Sequence, residues 1–298
     1  VAHYFVILFL LSASPAFASD PTAEIAELRQ RVRQLEREVQ ELKAKLNPKP
    51  AAKLAAPDIR IVPGDWGSGG EADIRAVCKS ASSELFKHII DLPADPISVR
   101  NDQKGPMVIY GLGESGERRV LLNTKDTYWS QYAYQFSHEC CHILCNYRDG
   151  QKENLWFEEA LCETASLFAL RSMADTWKTN PPYSNWKSYS DSLAKYAQDR
   201  IDAVDKVEAK TLAAWLKEHE ATLRKNPTDR AKNQVVAVRI LPLLEKNPKH
   251  WQAVRSLNQG PADKALSFHE YLQDWHDRAP AAHKPFVEEI AEMFELKL

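Results

Sequence analysis

The 298-residue chain has no surplus of charge of either sign. Its 39 Lys and Arg stand against 41 Asp and Glu, a formal net charge of −2. Composition therefore supplies no electrostatic footprint for a nucleic-acid partner. Past the first twenty residues no apolar run approaches the roughly 18–20 positions that a membrane span requires. With 44% hydrophobic and 27% charged residues, the remainder reads as globular. Cysteine is scarce and odd in number: Cys78, Cys140, Cys141, Cys145 and Cys162 cannot all pair within one chain. Buried small hydrophobes are the expected state of these thiols. A Cys145–Cys162 disulfide is the alternative that an oxidising compartment would permit.

The start of the chain differs from the rest. Tyr4 to Leu11 is unbroken apolar sequence, and Ala16-Phe17-Ala18 follows as a small-x-small triplet. No Lys or Arg precedes the run, yet the pattern reads as a secretory signal peptide, residues 1–18, cut after Ala18. No cysteine stands at the cut, so a lipid anchor is not expected, and no membrane span remains after signal removal. The expected location is secreted or periplasmic.

Residues 22–46 form a second distinct segment, a coiled-coil helix. Ile25, Val32, Val39 and Leu46 fall at heptad position a, and Leu28, Leu35 and Leu42 at d. β-Branched a residues with Leu at d favour a two-stranded parallel pairing. In that pairing Glu24 meets Arg29, Arg31 meets Glu36 and Glu38 meets Lys43, all attractive; an antiparallel pairing would oppose Arg29 to Lys43. A parallel homodimer through residues 24–46 is the expectation, with a helix docked on its own domain as the alternative. Residues 47–58, rich in Pro, Ala and Lys, read as a semi-rigid linker.

The periodicities beyond it predict an α+β half, residues 59–175, followed by an α-helical lobe, residues 176–298. Ile59–Val62, Ile97–Arg100, Met107–Leu112 and Arg119–Asn123 have strand character, and Glu71–Ile90 has helical spacing. Further on, Asn233–Leu244, Trp251–Leu257 and Leu266–Trp275 read as helices, with Trp215, Trp251 and Trp275 as packing residues. His269-Glu270 with His276 is not a metal motif, because its histidines are seven apart.

His138-Glu139-Cys140-Cys141-His142 matches H-E-x-x-H. On a helix, side chains four apart share one face, so two imidazoles can reach one ion while Glu139 lies beside it, placed as a general base. No Gly or Pro interrupts the sequence from Ser130 to Tyr147. A catalytic zinc usually has three protein ligands and an open position, so the two histidines need a partner. A second predicted helix follows, with Asn154 as its candidate N-cap and Phe157, Leu161, Ala165 and Phe168 as its apolar stripe.

Trp156-Phe-Glu-Glu159-Ala160 opens that helix, and here the chain resembles the gluzincin superfamily of zinc metallopeptidases, thermolysin-like and aminopeptidase-type. The resemblance covers roughly residues 59–175 and implies a zincin-like catalytic domain. It implies Glu159 as the third ligand, with Glu158 as its exposed neighbour. Glu163, four residues on, would then be the acid that hydrogen-bonds a ligating histidine, a surface helix charge being the alternative. Arg119–Asn123 would be the strand beside the cleft that pairs with substrate backbone. Two departures matter. There is no G-x-M-E-N element for a free amino group, so endopeptidase action is expected over exopeptidase action. No motif marks the oxyanion-stabilising residue either, for which Tyr189, Tyr196 and His219 are candidates.

The expected function is hydrolysis of peptide bonds in a peptide or protein substrate, with one Zn2+ per chain activating a water and Glu139 as general base. The rival expectation is an exported scaffold that dimerises through its coiled coil and keeps the fold without the activity. That rival leaves Glu139 without a purpose.

Overall fold

The structure, a computed structural model, describes residues 31, 32, 35, 57–92, 94–204 and 211–298. The expected signal peptide, most of the coiled coil and nearly all of the linker lie outside these residues. The chain divides into two units, Val1–Ala52 and Lys53–Leu298. The elements that follow belong to the second.

The first half is built on one parallel crossover. Strand β1 (Ile59–Ile61) leads through helix α1 (Glu71–Phe86) into β2 (Ile97–Asn101), which pairs parallel to β1 with Ile59 opposite Ile97. A parallel return needs such a crossover, because the chain must travel back along the sheet before re-entering it. Strand β3 (Met107–Ile109) and strand β4 (Arg118–Leu122) complete a four-stranded sheet in the order β1-β2-β4-β3. β4 lies parallel to β2 and antiparallel to β3, so its two backbone edges are both occupied. This corrects the expectation that residues 119–123 face the cleft with a free edge. That edge belongs to β3.

Among the described residues, every regular element after β4 is helical. α2 (Trp129–Leu144) carries H-E-x-x-H, and α3 (Leu155–Trp177) follows a short turn. The lobe beyond contains α4 (Ser190–Asp202), α5 (Leu212–Lys225), α6 (Arg230–Lys246), the short α7 (Trp251–Val254), α8 (Phe268–Arg278) and α9 (Lys284–Met293). α8 starts with a reciprocal cap, in which the Ser267 hydroxyl accepts from the Glu270 N–H and the Glu270 carboxylate accepts from the Ser267 N–H.

α3 is the central post. Trp156, Phe157, Leu161, Cys162, Ala165, Leu170, Met173 and Trp177 are fully buried around its circumference. A helix apolar on all sides must be surrounded, and α3 packs against α1, α2, α4 and α6. The core consequently runs from Ile59 in the sheet to Phe294 after the last helix without interruption. The architecture is mixed α+β as expected. Trp215, Trp251 and Trp275 are packing residues, between 0% and 4% exposed. Among the described residues no helix is long and apolar enough to cross a membrane.

Some boundaries differ from the sequence expectation. α1 ends at Phe86, short of Ile90, which is 63% exposed. Asn154 stands at the head of α3 without capping it; its side-chain amide donates instead to the Leu266 carbonyl at 3.0 Å. Asn146 and Tyr147 take positive φ of 77° and 48°, which ends α2 although no Gly or Pro is present.

Candidate metal centre

α2 and α3 pack closely enough to bring their acids and imidazoles together. His138 Nε2 lies 3.2 Å from Glu159 Oε2, and His142 Nε2 lies 3.6 Å from Glu159 Oε1. The same nitrogen of both rings thus converges on one carboxylate, and the rings stand 5.2 Å apart. Both Nδ1 atoms face the other way. His142 Nδ1 donates to Glu158 Oε1 at 2.7 Å, and His138 Nδ1 is 3.7 Å from Glu163 Oε1.

Each outer acid is held from further out. Asn258 Nδ2 donates to Glu158 Oε2 at 2.6 Å. The Tyr134 hydroxyl donates to Glu163 Oε2 and receives a hydrogen bond from Gln234 Nε2 at 3.0 Å. Glu163 is fully buried, so it is not a surface helix charge, and Glu158 is 1% exposed, which overturns its expected place at the surface. A carboxylate that accepts from the far nitrogen of an imidazole fixes its tautomer and turns the near nitrogen toward a metal.

Glu139 is 1% exposed, and neither of its carboxylate oxygens has a hydrogen-bond partner. It faces a cleft of about 720 Å³ that His138, His142 and Glu159 also line. The β3 edge forms one wall through Pro106, Met107, Val108 and Tyr110, and Arg230 faces in from the first turn of α6.

The electrostatics ask for a cation. Glu139, Glu158, Glu159 and Glu163 surround two imidazoles, and Arg230 Nε reaches only Glu163, at 3.7 Å. Burial pushes the carboxyls of Glu139 and Glu158 up. Burial also works against charge on His142, but the Glu158 hydrogen bond and the surrounding carboxylates outweigh it and raise that imidazole to about 10. A dication with nitrogen and carboxylate ligands would neutralise the same field, so His138, His142 and Glu159 suit zinc in donor type and number.

A second donor set overlaps the first. His138, His142 and Cys162 each place a donor atom within 4.8 Å of the others, all buried. Burial holds the Cys162 thiol well above its usual range, and hydrogen bonds tie it to Cys141 and Cys145. Glu159 lines the cleft and Cys162 does not, so an ion held through Glu159 would face the cleft. All five cysteines are buried and free, and no Cys145–Cys162 disulfide forms.

The three oxyanion candidates do not reach the cleft. The Tyr189 hydroxyl accepts from the Ser130 N–H at 3.2 Å, the Tyr196 hydroxyl from Arg200 at 2.8 Å, and His219 packs on Trp215. Arg230 and Tyr110 line the cleft instead. Neither sits in a local motif; an Arg directly after the Asp229 cap of α6 was the available signal. Compared with protein-family models, with curated proteins and with solved structures, the chain matches none.

Proposed function

We propose that the chain is a zinc-dependent peptidase of gluzincin type, acting on a peptide or protein outside the cytoplasm. The observation that carries this reading is the convergence of both Nε2 atoms on Glu159 beside the unpartnered carboxylate of Glu139. A buried acid without a partner is costly to the fold, and a scaffold gains nothing from it.

His138, His142 and Glu159 would hold the ion. Zinc supplies a Lewis acid that polarises a carbonyl and brings the pKa of water toward about 7. Glu139, raised by burial, takes a proton from water in the cleft and delivers it to the leaving amine. Arg230 offers N–H donors to the oxygen on which negative charge develops, and Tyr110 offers a hydroxyl. The β3 edge, unpaired on the side away from β4, provides backbone donors and acceptors for an extended peptide.

The test is Glu139→Gln, which keeps size and polarity but cannot accept the proton. Zinc content and melting temperature should stay near wild type, while cleavage of casein and blocked peptides falls about 10²–10⁴-fold. Equal cleavage by both proteins would identify a contaminating protease. If zinc-loaded wild type cleaves no member of a broad peptide library, the scaffold reading replaces this one.

A further inference from the structure

His142 is the better anchored of the two histidines, and its anchor lies in the helical lobe. Glu158 Oε1 accepts from its Nδ1, and Glu158 Oε2 accepts from Asn258 Nδ2. Beyond that, the Tyr271 hydroxyl donates to Asn258 Oδ1 at 2.9 Å. These bonds run in one direction. A carboxylate only accepts, so the amide of Asn258 must turn its NH2 toward Glu158 and its oxygen toward Tyr271. The opposite amide orientation would set an oxygen against the carboxylate.

The surroundings hold this chain in place. Asn258 adopts φ of 57°, a left-handed conformation that asparagine tolerates better than most residues. Its segment is tied to the end of α2 by Asn146, whose amide donates to the carbonyls of Arg255, at 3.0 Å, and Leu257. Gly150 packs over the chain so closely that a Cβ there would stand 2.9 Å from Asn258 Nδ2 and 3.0 Å from Glu158 Oε2. Glu158, Asn258 and Tyr271 are at most 7% exposed, so water has little opportunity to replace a lost partner.

We propose that Asn258 and Tyr271 are positioning residues for the metal centre, which hold Glu158 and through it present His142 Nε2 to the ion. The inference rests on the zinc reading above and adds to it that the lobe beyond α6 is part of the metal-binding apparatus. Residues this far from a metal act by fixing its ligands, and losses of about 10–100-fold in affinity are typical when they are removed.

The measurement is the zinc dissociation constant of the full chain, by chelator competition, with melting of each metal-free protein as the folding control. Asn258→Gly removes the amide at a φ that glycine accepts, and should weaken zinc about 10–100-fold. Asn258→Asp sets a second carboxylate against Glu158 and should weaken it at least as much. Tyr271→Phe, which keeps the ring, should give a smaller loss in the same direction and serves if Asn258→Gly does not fold. The double variant Glu158→Gln with Asn258→Asp restores a donor–acceptor pair with its polarity reversed. It should recover about tenfold or more of the affinity lost in Asn258→Asp alone, which a general loosening of the lobe would not do. Wild-type affinity in Asn258→Gly and Tyr271→Phe, or no recovery in the double variant, would overturn the proposal alone. A wild-type chain that binds no zinc would overturn the peptidase reading and this one together.

Discussion

Glu158 and Glu159 are adjacent in sequence and differ in the imidazole nitrogens they meet, and zinc retention should separate them. Glu159→Ala removes the carboxylate on which both Nε2 atoms converge and should abolish stoichiometric zinc. Glu158→Ala leaves that set intact but frees His142, and should cost about 10–100-fold in affinity. Cys162→Ser should retain zinc near wild type; loss of metal there with retention in Glu159→Ala would transfer the third ligand to the thiol. The pH dependence follows from the direction of the His142 shift. Its folded value, about 10, lies above the ordinary 6.5, so the metal-free protein carries a proton that zinc must displace. Apparent zinc affinity should therefore climb with pH, by about tenfold per unit for that one proton, between pH 6.5 and 8.5. The same sign governs stability without metal: the contribution of the charged imidazole is complete below about pH 6.5 and is lost as pH rises through about 10. A zinc affinity that is flat with pH would show that His142 is already neutral. The side chains within one helical turn of the motif were legible from spacing, since four residues make one turn. The environment of Glu158 was not, because the partner that buries it, Asn258, lies 100 residues away. Arg230 escaped for the same reason.

Among the elements, helices were easier to read than strand edges. Apolar spacing located α1, α2, α3 and α6 because each buries a face or its whole circumference, and that leaves a periodic record. The strand expected over Met107–Leu112 is longer than the three residues that β3 has, and Met107 is 40% exposed. Which strand keeps a free edge depends on sheet order, and sheet order is a property of long-range pairing. One contact holds β3 at its end. The Arg119 N–H donates to the Tyr147 hydroxyl at 2.8 Å, and that hydroxyl donates to the Ile109 carbonyl at 2.5 Å. Tyr147 thereby bridges two backbone groups that face each other across the β3–β4 pair. Tyr147→Phe leaves both groups without that partner and should destabilise the fold by about 1–3 kcal/mol in urea titration. Amide exchange should quicken at Arg119 in particular. If the β3 edge receives substrate, KM for long peptides should rise while zinc affinity stays unchanged.

At the scale of the whole molecule, the proposed peptidase unit and the heptad segment make separate demands. The unit Lys53–Leu298 contains the sheet, the candidate metal centre and the helical lobe, and the proposed site is drawn from that unit without a second copy. The heptads predict one. Val32 and Leu35, a and d residues of the pattern, are 53% and 46% exposed. Three heptads are a short coil, and helix nucleation is costly, so the pairing should be concentration-dependent. A chain beginning at Ser19 should sediment as a dimer at high concentration, and one beginning at Asp58 as a monomer at every concentration. Reversing the charge of Glu24, Arg31 and Glu38 converts three attractive contacts to repulsive ones and should weaken the dimer by roughly 0.5 kcal/mol per pair, less at high salt. Restoring attraction by also reversing Arg29, Glu36 and Lys43 should recover it, which separates the parallel pairing from a change in helix propensity. Zinc affinity and peptide cleavage per chain should be the same for both lengths. If the two lengths sediment alike, the heptads serve some contact other than self-association, and the centre proposed at His138, His142 and Glu159 is unaffected by that outcome.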